Sequence, residues 1–250
     1  MDDLTFFIET SKEIDWGEII SYLRGLGFTG MVDIRRNIVR SIPESEREKV
    51  ARAFASARVV NAREPVFDPL PGEIMFERKR FEEAERPAGV LYDAFMLRDI
   101  YRMITCGDDE LLKSSIVFTD DIIGTKESGY YHSRVTLFSY PSLVSISGFY
   151  YALALNKAFY LERLLVPRTY TRLPDRIRLS EKEIREMIKG CVLQALFFYS
   201  YGDPFCEKKD CRLYNAHWLE EAFYAQVISQ RLCDRHRQMI NSLQNPSVSS

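Results

Sequence analysis

The sequence predicts a single α/β domain, on three observations. Residues 4–57 alternate strand and helix patterns in the order βαβα, an amphipathic helix at 89–104 precedes a buried strand at 114–121, and a capped helix of about twenty residues starts at Glu181. Alternation of this kind is what a sheet covered by helices requires. The 250 residues suffice for a full hydrophobic core, and 46% hydrophobic with 28% charged residues is ordinary for a soluble protein. A net charge of −2 excludes a general electrostatic grip on nucleic acid or anionic lipid. No apolar run reaches the roughly 18 residues of a membrane span. The opening MDDLTFFIET is acidic and lacks the basic start of a signal peptide, so the expected location is the cytoplasm. In that reducing compartment the five cysteines favour metal binding over a disulfide framework.

Taken in order, LTFFIE (4–9) reads as a strand. Asp15 caps a helix through about Leu26, with Ile19, Ile20 and Leu23 at helical spacing. GFTGMVDIRRNIV returns as a strand, and SIPESEREKVARAFASA is a helix with Pro43 near its first turn. Residues 62–75 hold three prolines and read as connecting chain. GVLYDAFMLRDIYRMI (89–104) is an amphipathic helix, SSIVFTDD (114–121) a buried strand, and RVTLFSY (134–140) and LVSISGFYYALAL (143–155) carry further strand signals, the latter turning into helix. VPRTYTRLPDRIR (166–178), with four arginines, reads as a solvated loop rather than an anion grip. Ser180 and Glu183 form a capping box, and the helix after it carries a core-facing stripe of Ile184, Met187, Ile188, Cys191, Ala195, Phe198 and Tyr199. The expected organisation is one domain over 1–245: a βαβα part (1–62), a connecting segment (63–88) and a core (89–245). The tail 246–250 is expected to be disordered.

The chemistry concentrates near the end. Cys206-x4-Cys211 and Cys233-x2-His236 supply four soft or borderline ligands in two short pairs. Zinc favours such a set in tetrahedral geometry, and four protein ligands leave no position for a reactive water, so the expected cofactor is one structural zinc per chain. Residues 212–232 look helical and would bring the pairs together. The alternative is that these are free buried cysteines, which the intervening Lys208, Lys209 and Asp210 make awkward. His217 competes with His236 for the fourth place; Cys-x2-His is the tighter chelate.

These residues resemble the archaemetzincins, a branch of the metzincin zinc peptidases with the pattern HExxHxxGxxHC-x4-C-x-M followed after about 17 residues by CxxC. Anchored on Cys206, the pattern places its glycine on Gly202, its second cysteine on Cys211 and its methionine on Leu213. Cys233-x2-His236 stands where CxxC belongs. LEE (219–221), YDAFMLRDI, SSIVFTDDIIG and DWGEIISYLRGLG are similar to further family segments. The resemblance implies a metzincin-like fold with a mixed sheet, an active-site-type helix at 181–200 and a zinc-clamped C-terminal helix. It also implies what is missing. The catalytic positions fall on Ala195, Leu196, Tyr199 and Phe205, where the family carries a histidine ligand, the general-base glutamate and two further histidines. A zincin needs imidazoles at i and i+4 of one helix face and a carboxylate to take the water's proton, and none of these survives.

Other chemistry is sparse. Phosphate-loop, dinucleotide and nucleophile-elbow motifs are absent from the sequence. Cys191 reads as a buried small residue, and Cys106 lacks a basic neighbour in sequence. Asp120 and Asp121 read as turn-capping carboxylates rather than an acid–base pair, and Glu220 and Glu221 as a solvated helix face. Tyr130, Tyr131 and His132 form a hairpin-like aromatic stretch suited to pairing with an extended peptide. The expected function is therefore a non-catalytic pseudopeptidase that binds a peptide or partner protein. The alternatives are a hydrolase with a displaced site, drawing on His132, His217 and Asp120 or Asp121, and a purely structural interaction subunit.

Overall fold

A computed structural model describes residues 3–60, 68–83, 89–105, 114–152 and 179–244. The chain is α/β with mixed sheets, and it divides into two compact units, Asp2–Glu13 with Met31–Ala152 and Ile14–Gly30 with Leu153–Ser250. Among the described residues no helix is long and apolar enough to cross a membrane. The anion-grip question at 166–178 and Cys106 lie outside the described residues.

The first unit is built on two sheets. Strand β1 (Leu4–Glu9) lies between β2 (Val32–Arg36) and β4 (Ser115–Thr119), parallel to both. Strand β8 (Ser142–Ser145) pairs parallel with β4 and antiparallel with β7 (Thr136–Leu137). The second sheet orders β3 (Leu91–Asp93), β5 (Ile122–Glu127) and β6 (Tyr130–Arg134), with β6 antiparallel at its edge. All six β1 residues and all five of β4 are buried, as expected of central parallel strands. Helices α2 (Glu44–Ala57), α3 (Pro71–Glu82) and α4 (Ala94–Ile104) contribute Phe54, Phe81 and Tyr101 to a core completed by Phe7, Tyr92 and Val117. A short helix α5 (Gly148–Tyr151) follows β8.

Two expectations change here. The proline-rich connector gives way at Pro71 to α3: proline at the first helical position wastes no hydrogen bond, and the Glu73 carboxylate accepts from the Leu70 backbone N–H at 2.9 Å. The amphipathic segment from 89 begins as β3, because the Asp93 side chain caps α4 by accepting from the N–H groups of Phe95 and Met96, both at 2.9 Å.

Asp120 and Asp121 close the β4 end. Asp120 accepts from Thr10 Oγ1 at 2.5 Å, Ser11 N at 2.7 Å and Ser11 Oγ at 2.8 Å. Asp121 accepts from Arg80 Nη2 at 2.6 Å and Thr119 Oγ1 at 3.1 Å. Arg80 also reaches Glu77, whose carboxylate accepts from Tyr92 OH at 2.8 Å, so the buried guanidinium is flanked by two carboxylates.

The second unit carries the long helix. Helix α1 (Trp16–Gly25) starts at Asp15, whose side chain accepts from Glu18 N at 3.0 Å. Helix α6 (Glu181–Tyr201) starts at the expected Ser180–Glu183 capping box and ends at Gly202, whose φ of +72° is the left-handed conformation that favours glycine. The expected single stripe is too narrow. Every residue from Glu186 to Phe197 is buried, including Glu186, Lys189 and Gln194, whereas Phe198 and Tyr199 are half-exposed. The reason is a buried ion network, described below, that lets charged residues face inward.

The segment 212–232 is a helix only in part. Turns lead to α7 (Leu219–Phe223), which runs into a π-helical turn (Tyr224–Ser229), and α8 (Asp234–Gln244) follows. Gln226 on the π turn fills the space beside Gly190: a Cβ built at Gly190 would fall 1.5 Å from Gln226 Oε1. Gln226 is buried and held there by its own bond from Nε2 to Arg212 O at 2.7 Å, so it cannot simply withdraw. Gly190→Ala is expected to cost roughly 1–3 kcal/mol from overpacking, despite gaining about 1 kcal/mol of helix propensity. The urea midpoint measures this; an unchanged or higher midpoint contradicts the close packing.

Candidate metal centre

Backbone turns build the centre from two directions. After Gly202 the chain enters a knuckle in which Cys206 N donates to Leu213 O at 2.8 Å and Cys211 N to Lys208 O at 3.0 Å. Lys208 N points at Cys206 Sγ, 3.4 Å away. Arg212 N donates to Arg231 O at 2.6 Å, which lays the chain before Cys233 alongside the knuckle. Cys233 sits immediately before α8, and Arg237 N closes the first turn on Cys233 O at 2.9 Å. His236 is therefore one turn on from Cys233 and faces the same side.

The four side chains converge. The ligand atoms of Cys206, Cys211, Cys233 and His236 all lie within 4.8 Å of one another. Cys206 Sγ to Cys233 Sγ is 3.9 Å, Cys211 Sγ to His236 Nδ1 is 3.6 Å, and Cys233 Sγ to His236 Nδ1 is 3.0 Å. A tetrahedral zinc with ligand bonds of about 2.0–2.3 Å requires S···S near ~3.8 Å and S···N near ~3.5 Å. Two of these edges match that requirement, and the Cys233–His236 edge is shorter than it. Leu193, Phe197, Leu213 and Ile240 pack around the cysteines, and the Phe197 ring stands edge-on to His236 at 5.2 Å.

The electrostatics fit a cation. Burial pushes the Cys211 thiol up to about 12, so a thiolate there needs a positive partner. Burial also acts on Cys233, but the His236 backbone and the neighbouring thiols outweigh it and hold that thiol below its ordinary value. Burial, with Arg235 nearby, lowers the pKa of His236, which keeps it neutral and able to donate its lone pair. The cluster could hold a metal ion.

The other sequence-predicted residues lie elsewhere. His217 is exposed and outside the cluster. Ala195 is fully buried, and Tyr199 and Phe205 are half-buried. Leu196 lines a small apolar pocket with Leu23, Phe28, Leu193 and Ile240. Cys191 is buried, and burial pushes its thiol up to about 12, the opposite of an activated nucleophile. Glu220 is exposed, and Glu221 pairs with Lys209 at 3.3 Å. His132 is exposed on edge strand β6, opposite Thr125.

Sequence reasoning missed the residue that anchors the knuckle. Arg212, between Cys211 and Leu213, is 1% exposed. Its Nη2 donates to both Glu186 O and Glu186 Oε2, each at 2.7 Å, and its guanidinium lies 4.7 Å over the Tyr22 ring. Lys189 Nζ bridges Glu186 Oε1 and Glu18 Oε1, both at 2.6 Å, and Arg185 holds the other Glu18 oxygen at 2.8 Å. The available signal was the i, i+3 pair Glu186–Lys189 at the start of an apolar stretch of the helix, where buried charges need further polar partners.

A family model described as "Probable metallopeptidase family (DUF6775)" matches residues 2–243. No curated protein matches the chain. Among solved structures, the crystal structure of archaemetzincin (amzA) from Methanopyrus kandleri is similar at a TM-score of 0.46 and 12% identity, covering 96% of this chain and 94% of that one.

Proposed function

This chain belongs to the probable metallopeptidase family DUF6775, and from that premise we propose that it is a pseudopeptidase with one structural zinc and no catalytic one. The observation that carries the reading is the contrast between two sets of positions. Cys206, Cys211, Cys233 and His236 form a closed donor set, while Ala195, Leu196, Tyr199 and Phe205 offer no imidazole and no carboxylate. Zinc held by the four donors would tie the knuckle to the start of α8, so binding would be folding energy. A displaced hydrolytic site finds no support in the placement of its candidates: Asp120 and Asp121 are engaged with Thr10, Ser11, Arg80 and Thr119.

The retained activity is binding of an extended peptide or partner protein, in the cytoplasm. Edge strand β6 supports this, with Tyr130 49% exposed and His132 facing solvent. The test is hydrolysis of an unstructured protein such as casein. The expected result is no turnover above a chelator-treated control; chelator-sensitive cleavage that survives repurification contradicts the reading.

A further inference from the structure

We infer that Cys206 and Cys233 form an oxidative modification site: a hydroperoxide joins them as a disulfide and thereby releases the bound ion. The inference rests on the zinc reading above. Its ground is an asymmetry within the cluster. Cys211 is 0% exposed and His236 2%, whereas Cys206 and Cys233 are only half-buried. The two reachable sulfurs are also neighbours, 3.9 Å apart. Closing to a disulfide bond of about 2.0 Å needs a movement of roughly 2 Å. Each cysteine lies at a junction, Cys206 in the knuckle that follows α6 and Cys233 just ahead of α8, where side-chain rotation does not disturb a helix interior.

The chemistry balances with peroxide as the only added reactant. One of the two thiolates attacks a peroxide oxygen; an S–O bond forms, the O–O bond breaks and hydroxide leaves. The second thiolate attacks the resulting sulfenic sulfur, the S–S bond forms and a second hydroxide leaves. The two sulfurs together lose two electrons and the peroxide gains them, ending as two waters once protons are taken up. The ion then keeps only Cys211 and His236, half of a tetrahedral set. The new bond spans the same two segments, so the start of α8 stays tethered to the knuckle without metal.

The experiment treats the full, reduced chain with hydrogen peroxide, follows zinc with a chromophoric chelator and maps disulfides by mass spectrometry of a non-reducing digest. The expected result is zinc release in step with loss of two thiols, a crosslink between the Cys206 and Cys233 peptides, and recovery on adding dithiothreitol and zinc. Cys206→His keeps four donors but cannot form the bond, and is expected to hold zinc at peroxide levels that empty the parent. A crosslink to Cys191, Cys106 or Cys211, or zinc retained at peroxide levels that oxidise free N-acetylcysteine, overturns the inference. A reduced chain with no zinc at the outset refutes the metal reading instead; the crosslink map of that sample still decides the pairing.

Discussion

Arg212→Ala is expected to lower stability by roughly 3–5 kcal/mol, the usual loss when one partner of a buried ion network is removed. The guanidinium is buried, meets Glu186 twice and covers Tyr22, and its backbone lies between two residues of the metal knuckle. Removal leaves the Glu186 main-chain carbonyl without that donor and breaks the link from the knuckle to α6. Arg212→Lys keeps the charge but not the planar guanidinium that lies over the Tyr22 ring, so most of the loss is expected to remain. Urea midpoints measure both. The pH dependence gives a second readout. Glu186 is buried, yet Lys189 and Arg212 outweigh that cost and hold its carboxyl below the ordinary carboxylate value. A depressed folded pKa contributes stability above the unfolded value of about 4.3, and that contribution is lost as pH falls through the folded value. The acid limb of the parent's stability curve is therefore expected to be steeper below that value than the variant's. Equal stability of parent and Arg212→Ala contradicts the anchoring role.

Cys211→Ser is expected to remove the metal and with it a large part of the stability of the C-terminal segment. Among the ligands, Cys211 is fully buried, so a serine leaves a hydroxyl in an apolar shell lined by Leu193, Phe197 and Leu213. An ion at a thousandfold excess over its dissociation constant adds about 4 kcal/mol, and roughly 2–4 °C of melting temperature accompanies each kcal/mol in a chain of this size. Chelation of the parent is expected to lower the melting temperature by about 10 °C, and the variant to melt low with or without chelator. A parent that melts at the same temperature with and without chelator contradicts the structural role of the ion.

Much of the fold was legible because local chemistry marked it. Asp15 and the Ser180–Glu183 box announce their helices with the hydrogen bonds found there. Strands β1 and β4 centre on the apolar runs FFI (6–8) and IVF (116–118), which suit a doubly covered sheet. Proline misled where it punctuates both loops and first turns: Pro71 opens a helix. Strand β5 was missed because IIGTKE begins apolar and ends polar, a pattern set by its pairing with β6 rather than by period. The convergence of the four candidate donors was legible from two short spacings, since each spacing is itself a turn. Arg212 was not, because its partners lie 26 positions away on α6, and one sequence does not show which buried charges meet.

Metal content of the untagged, purified chain, by elemental analysis, tests the central claim most directly. One zinc per chain, lost in Cys206→Ser and Cys233→Ser together with thermal stability, is the result that a closed structural centre requires. Two zincs per chain would mean a second ligand set and contradict the account of a single structural centre, and no zinc would remove the metal from the cluster altogether.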